Sequence, residues 1–513
     1  LDEKGNKMSK SAGNVIEANL MLERNAVDLI RFYFIWKSSP IEALNFSLKE
    51  MTSRPYQILS TLYYLHIYLK QNSILDNFDR VVHNLNWVIS NNLLETPEKW
   101  LLSVLQNLIK NVNFSFENCR FHEGAKAIEE FIINNISQTY IPLTRNYIWN
   151  DSVEQINRRL TIFSILDYVL EKIDIILHPV SPFITEYLYL TCFTKIKNLR
   201  ESWSSRSSIL LGQWPELEAS LIDQGLENTF EKIKTIISLA NSARMKAKIK
   251  RRWPITEIII CSLSEKKLSL HSKNSIENDD NYNYDQLNRD LSREDISEIL
   301  KNQLNVQSYK IKQIYASNTV EKILEMLNAN LPILPSINII RKSIAPQVRS
   351  DIGKVVTEFE KLDKREILNT IKDFQKFQLI YDKTLSSSVD IYEKDLEISF
   401  SIKDDYIYTE KENLIIFMPT SRDQSLIIQG LVRDLARNLQ QLRKEKSYNP
   451  TEILSTAYIM NLEKDEISSL SQHINDLTYL VRVKSVVLSE ETKEDIEYKN
   501  IEIDGRKIGI YID

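Results

Sequence analysis

The sequence predicts a mainly α-helical protein that passes into an α+β region. Apolar residues recur at helical spacing through residues 51–253, and Thr-Pro, His-Pro and Ser-Pro pairs punctuate those runs. The first isoleucine-dense strand pattern follows Trp253-Pro254. At 513 residues the chain exceeds the roughly 250–300 at which single cores stop growing, so several domains are expected. Their boundaries are read at 1–50, 51–253 and 254–513.

The first element is a loop. Lys7, Met8, Ser9, Lys10 and Ser11, followed by Ala12-Gly13-Asn14, set two lysines three apart among hydroxyls and beside a glycine. Ammonium and hydroxyl groups suit phosphoryl oxygens and glycine admits close backbone approach, although five such residues equally make a basic surface loop. Asn25 is then placed to cap a helix with Asp28 at its third position and Val27, Ile30 and Phe34 on one apolar face. From Arg54 to Leu69 the spacing of Leu59, Leu62, Tyr63 and Leu65 suits a core helix better than a cofactor box.

Thr96-Pro97 starts a further helix, with the Thr96 hydroxyl as cap and a wide stripe from Trp100 through Val104 to Val112. A second stripe runs through Ala125, Ile128, Ile132 and Ile136, and a third from Leu160 to Leu177, ended by His178-Pro179. Ser181-Pro182 begins the next helix, with Glu186 nearby. Long helices with short connections imply an antiparallel bundle.

Leu226, Phe230, Ile233, Ile237, Ala240 and Ala247 line another helix, which leads into Lys246, Lys248, Lys250, Arg251 and Arg252. Counting from Arg244, six of nine residues there are basic. Ile255 to Cys261 reads as a strand, and His271 to Asp290 as a solvated linker. The remainder reads either as a duplicated unit or as a coincidence of an isoleucine-rich, lysine-rich chain: Pro254-Ile255-Thr256-Glu257-Ile258 is echoed by Pro450-Thr451-Glu452-Ile453, and Val306-Gln307-Ser308 by Val483-Lys484-Ser485. Acidic-start helices, Glu294 to Leu304 and Lys464 to Leu477, precede the second strand of each copy, and Ile339 to Met418 is the inserted stretch. Between the copies, the helix Leu426 to Lys446 carries Arg433, Arg437 and Lys444 on one face, opposite Leu431, Leu435, Leu439 and Leu442. Such a stripe suits a phosphate backbone or an ordinary solvated face.

Composition excludes several classes. Sixty-five Lys and Arg against 70 Asp and Glu give a net charge of -5, without the basic footprint of a protein devoted to nucleic acid, so any such contact must be local. Cys119, Cys192 and Cys261 lie far apart, which supports neither a disulfide framework nor a zinc site. No apolar run reaches the ~18 residues of a membrane span and no leader precedes the first motif, so a cytoplasmic protein without a membrane partner is expected.

The loop string GNKMSKSAGN (Gly5 to Asn14) resembles the KMSKS signature of class I aminoacyl-tRNA synthetases, and the chain after it resembles the isoleucine family in its archaeal or eukaryotic form. AVDLIRFYFIWKSSPIEALNFS (Ala26 to Ser47), EKWLLSVLQNLI (Glu98 to Ile109) and HPVSPFITEYLY (His178 to Tyr189) are similar to family segments in family order. So are ARMKAKIKRRWPI (Ala243 to Ile255) and GLVRDLARNLQQLRKEKSYNPTE (Gly430 to Glu452).

The resemblance implies the C-terminal end of a Rossmann-type catalytic domain, an anticodon-binding helical bundle and a C-terminal α+β region. It implies activation of isoleucine with ATP and Mg2+ and transfer to tRNA(Ile). Lys10 is then the principal catalytic lysine with Lys7 as helper, and Met8, Ser9 and Ser11 lie along the nucleotide. It tilts Arg145 and Trp149, the group Arg244, Lys246, Lys250, Arg251 and Arg252, and the stripe Arg433, Arg437 and Lys444 toward tRNA.

The family's HxGH motif is absent, and none of the six histidines sits in one. The chain is therefore expected to be the C-terminal portion of a larger enzyme, inactive alone and completed by an N-terminal catalytic region. Valine, leucine and methionine ligases share the loop and bundle and are the alternatives, as is a non-catalytic tRNA-binding subunit of a split synthetase. Two departures stand out. Tyr140 to Trp149 keeps only Arg145 of an arginine-rich family segment and holds Pro142, expected to break the helix, and Lys248 stands where the family prefers glycine.

Overall fold

The computed structural model describes residues 1–149, 152–193, 208–264, 284–315, 319–382, 387–449, 452–491, 498–503 and 505–513. They divide into two units, Leu1–Glu231 and Lys232–Asp513. The division falls inside the helix Gln224–Lys246, ahead of Trp253, where the sequence changes character.

The first unit is helical. Its helix Val27–Lys37 buries Leu29, Ile30, Phe32 and Tyr33 and leaves Val27 and Phe34 exposed, a core face rotated from the expected one. Asn25 does not cap this helix. Its side-chain amide donates to the Met21 carbonyl at 3.0 Å, at the end of the preceding helix Ala18–Arg24, and Ala26 takes the N-cap position. Asp28 instead caps a distant helix: its buried carboxylate accepts from the backbone N–H groups of Phe183 and Ile184, at the start of Pro182–Leu188. Two unpaired N–H groups of a helix start are satisfied in this way from elsewhere in the chain.

Helix Thr96–Glu117 begins one residue earlier than its sequence signal, with Glu95 rather than Thr96 at the N-cap position. Its stripe is buried except for the half-buried Val104, and Trp100 stacks on Phe230 with ring centroids 4.5 Å apart. Residues 121–148 form one continuous helical rod: α turns at Phe121–Glu130, a π-helical stretch at Phe131–Tyr140, and α turns again at Ile141–Ile148. Pro142 therefore does not break the helix. The wider π turns ahead of it accommodate a ring that would otherwise strike the carbonyl one turn back.

The helix Ile156–Leu177 is buried on nearly every side, charged residues included. Arg158 makes 2.7 and 3.0 Å bonds to Glu98, which also accepts from Tyr140 at 2.9 Å. Arg159 pairs with Asp76 at 2.7 Å, Asp167 with Arg80 at 2.9 Å, and Asp174 with His66 at 2.9 Å. Pairing offsets much of the desolvation cost of these charges. Glu171 is less well served: burial pushes its pKa up to about 7 against the pull of Arg80, 3.4 Å away.

The second unit repeats one plan twice. In the first copy β1 (Ile255–Ser264) is followed by helices Tyr284–Leu291 and Glu294–Leu304 and by β2 (Val306–Tyr315). An insertion then carries β3 (Ile333–Ile339), β4 (Phe377–Asp382), β5 (Ser387–Ile391) and β6 (Leu396–Ile402), with helices between them. β7 (Tyr406–Lys411) and β8 (Leu414–Pro419) complete a sheet of order β2-β1-β8-β7. After the helix Gln424–Glu445 the second copy follows: β9 (Leu454–Met460), helices Lys464–Ser471 and Ile474–Val481, then β10 (Val483–Leu488), β11 (Lys499–Ile503) and β12 (Arg506–Ile512), in the order β10-β9-β12-β11.

Registers match as well as order. Ile255 pairs with Val306 and Glu257 with Ser308 in one parallel pair; Leu454 pairs with Val483 and Thr456 with Ser485 in the other. Asn305 and Arg482, both left-handed at φ +53° and +58°, each end a helix and accept the first strand N–H, from Ile255 and Leu454, at 3.1 Å.

Three expectations are corrected by this geometry. The insertion runs from after β2 to before β7, so the segment Ile339 to Met418 began and ended too late. The counterpart of Ile255 is Leu454, three places beyond the one the Pro254 and Pro450 echo suggested; Pro450 and Thr451 themselves lie outside the described residues. Of the presumed linker, 271–283 lies outside them too, while 284–290 is helical.

Candidate nucleotide loop and nucleic-acid surfaces

The signature loop is built around two side chains that sequence reasoning passed over. The Asp2 carboxylate accepts from the backbone N–H groups of Lys4 (3.0 Å) and Asn6 (2.7 Å) and from the Asn14 amide (3.0 Å). These bonds, that of Asn14 first, hold its pKa below the ordinary value. Asn14 in turn accepts from the Ser9 N–H at 2.9 Å and donates to the Lys7 carbonyl at 3.2 Å. Ser9 caps the short turn Lys10–Ala12 by accepting the Ala12 N–H, and Gly13, at φ +68°, closes it in a conformation that glycine adopts without steric cost. The interior of the loop is thereby stapled while Lys7, Lys10 and Ser11 stay exposed and Met8 and Ser9 half-buried. Two mobile ammonium groups on an internally fixed backbone can follow and neutralise charge on a polyphosphate.

Half of the basic cluster at the end of the 224–246 helix and beyond it is a joint. Arg244 is only 2% exposed, and its guanidinium donates to the carbonyls of Lys250 (3.1 Å), Trp253 (2.7 Å), Leu304 (2.9 Å) and Asn305 (3.2 Å). Burial, with Arg251, Arg433 and Arg422 nearby, lowers its pKa to about 10, leaving it charged at neutral pH. Lys250 and Arg252 both pair with the buried Asp434, Lys250 at 2.8 Å. Lys250 and Arg422 also lie over the Trp253 ring, at 4.4 and 4.1 Å from its centroid. A Cβ added at Gly430 would come within 3.1 Å of both Trp253 and Arg422, so that close approach needs glycine.

Four of the residues expected at nucleic acid have partners inside the protein. Arg244, Lys250, Arg252 and Arg433 are engaged within the unit, because a carboxylate and several strand-end carbonyls require their charge and donors. Arg433 donates to the Arg252 carbonyl at 3.0 Å and to the Asn305 side chain. Lys246 reaches the Tyr408 carbonyl at 3.2 Å yet stays exposed, as do Lys248, Arg251, Arg437 and Lys444. In the helical unit Arg145 is exposed and Trp149 half-buried, at the end of the 121–148 rod. Lys248 has φ +57°, which explains the family's glycine at that place.

Arg443 duplicates the Arg244 staple. It is 5% exposed and donates to Asn449, Glu452, Val481 and Arg482, the residues equivalent to Lys250, Trp253, Leu304 and Asn305. Ser447, at φ +59°, takes the place of Lys248. An arginine six and nine residues ahead of two of its acceptors was the available sequence signal, hidden among other basic residues.

Residues 98–260 match the anticodon-binding domain of tRNA ligases, and residues 1–47 match class I tRNA synthetases (I, L, M and V). The isoleucine–tRNA ligase of Methanopyrus kandleri is 24% identical over 515 residues, covering 100% of this chain and 42% of that protein. Isoleucine–tRNA ligases are homologous to this chain along its whole length. That of Pyrococcus abyssi is 24% identical over 99% of the chain and 42% of its own length, and that of Pyrococcus horikoshii 26% over 86% and 36%. The chain thus spans about two fifths of the length of these curated relatives. Among the described residues no helix is long and apolar enough to cross a membrane, and no group of three or more His, Cys, Asp or Glu is arranged to hold a metal ion.

Proposed function

We propose that this chain is the C-terminal portion of an isoleucine–tRNA ligase, supplying the signature loop to the activation of isoleucine by ATP and surfaces to tRNA(Ile). The observation that carries the reading is the loop itself, fixed inside by Asp2 and Asn14 and presenting Lys7 and Lys10 outward. Activation joins a carboxylate to the α-phosphorus and releases pyrophosphate, whose charge grows as the bond breaks. Lys10, with Lys7 beside it, binds that charge more strongly in the transition state than in the ground state, and this difference accelerates the step. The Mg2+ of the nucleotide neutralises part of the phosphate charge when bound. Exposed Arg145 at the end of the helical rod supports an RNA contact there, and residence in the cytoplasm goes with the reading.

The test is isoleucine-dependent pyrophosphate exchange by the longer protein that contains this chain. Lys10→Ala should raise the barrier by about 3–4 kcal/mol, the scale of losing one oxyanion-type donor, with isoleucine affinity nearly unchanged. Exchange driven equally by valine, leucine or methionine, or an unaltered rate in the variant, would refute the proposal.

A further inference from the structure

The two copies of the repeated unit differ in what lies on the sheet face turned away from their helices. In the first copy Ile259, Cys261, Ile415 and Phe417 occupy that face with Tyr408, and all are packed into the core of the inserted 320–402 segment. Pairing Tyr458 with Tyr511 corresponds to pairing Ile259 with Phe417, so the second copy has tyrosines at both central-strand positions. Tyr498, beside β11, corresponds to Tyr408, and its ring lies 3.0 Å from where a Cβ on Gly509 would stand. Only residues 489–498 separate β10 from β11, and Tyr458, Tyr498 and Tyr511 are half-buried, with Val487 of the edge strand 38% exposed.

We infer that this tyrosine row is a stacking platform for unpaired nucleotides of RNA. The Tyr458 and Tyr511 rings stand 5.9 Å apart on the two central strands, the Lys446 ammonium sits 4.1 Å from the Tyr511 ring centroid, and the Thr456 and Ser485 hydroxyls meet at 3.0 Å on the same face. Lys507 stands further along β12 on that face, opposite Glu502. In the first copy the covered central-strand positions hold Ile, Phe and Cys, with tyrosine only at the edge-strand position Tyr408. Two tyrosines at such positions, apolar on their ring faces and polar at their tips, fit an occupant that is flat, polar at its edges and removable. A nucleobase has that form, and neighbouring aromatic rings on central strands beside a cation suit a single strand rather than a duplex. The choice of RNA over another flat ligand rests on the tRNA ligase reading.

The test measures binding of a fluorescent eight-nucleotide single-stranded RNA of mixed sequence to the full chain by anisotropy at low salt. Replacing both Tyr458 and Tyr511 with Leu should weaken binding about tenfold or more, while Phe at both positions should keep it within about threefold. Ultraviolet crosslinking of the unaltered chain should place the RNA on peptides containing Tyr458 or Tyr511, a readout independent of how the variants fold. Absence of binding, equal binding by a folded Leu variant, or crosslinks confined to other peptides would overturn the platform and leave the face to a protein occupant. Whole transfer RNA is titrated in parallel. Affinity for it with no role for the tyrosines defeats only the platform, whereas single-strand binding without transfer RNA affinity defeats only the ligase reading.

Discussion

Removing the Arg244 guanidinium should unlock the first β-sheet of the second unit. Arg244→Met keeps most of the aliphatic stem and deletes four donors, leaving the carbonyls of Lys250, Trp253, Leu304 and Asn305 to find other partners. Charged hydrogen bonds contribute about 1.5–3 kcal/mol each, or roughly 6–12 in all before any offset. Against this stands the cost of holding an arginine without a carboxylate partner: the fall in pKa from 12.5 to about 10 corresponds to roughly 3 kcal/mol. Bonds made by one side chain are not additive, so the net loss should lie near the lower bound, about 3–5 kcal/mol. Hydrogen exchange read by mass spectrometry is the assay, because it separates peptides of Ile255–Ser264 from those of the helical unit. Amides of that strand should exchange at least a hundredfold faster while the 96–117 helix is unchanged. Arg244→Lys should restore little, since an ammonium cannot span four carbonyls as the planar fork does. A loss under about 1 kcal/mol, or full rescue by lysine, would refute the staple.

Three further outcomes follow from the same geometry. Glu171 has its folded pKa raised to about 7 from an ordinary 4.5, so it binds more protons folded than unfolded; the associated stability is full below about pH 4.5 and is lost as pH rises through about 7. Glu171→Gln should flatten urea-unfolding stability of the helical unit between those values by up to roughly 3 kcal/mol, and an unchanged pH profile would refute the assignment. Lys248→Gly should stabilise the second unit by about 0.5–1 kcal/mol in thermal unfolding, because φ +57° disfavours a side chain. Replacing Arg437 and Lys444 with Ala should flatten the slope of log affinity for transfer RNA against log salt by about 1.4–1.8, without loss of stability, whereas Arg433→Ala should destabilise the unit.

The helical stripes, the signature loop and the paired strands were legible because each rests on local spacing or on a short string. Trp100 to Val112 repeats at helical period, GNKMSKSAGN is contiguous, and Val306-Gln307-Ser308 with Val483-Lys484-Ser485 marks equivalent strands directly. The fate of individual charges was not legible. Arg244 and Arg251 read alike in sequence, but one is buried against four carbonyls and the other is exposed. Asp28 was read only as part of a local helix start and Asp434 not at all, because their partners, the 182–188 helix start and the Lys250 and Arg252 pair, lie far along the chain.

Local pattern was enough to mark the long helices of the first unit, the loop lysines and the echo between the two C-terminal copies. These follow from short-range sterics and periodicity. Which basic residues are staples and which face solvent, how Pro142 is absorbed by π turns, and which of two equivalent sheet faces the inserted segment covers emerge only on packing. Those outcomes depend on desolvation and on donors and acceptors that meet only once distant segments pack, and no local pattern encodes them.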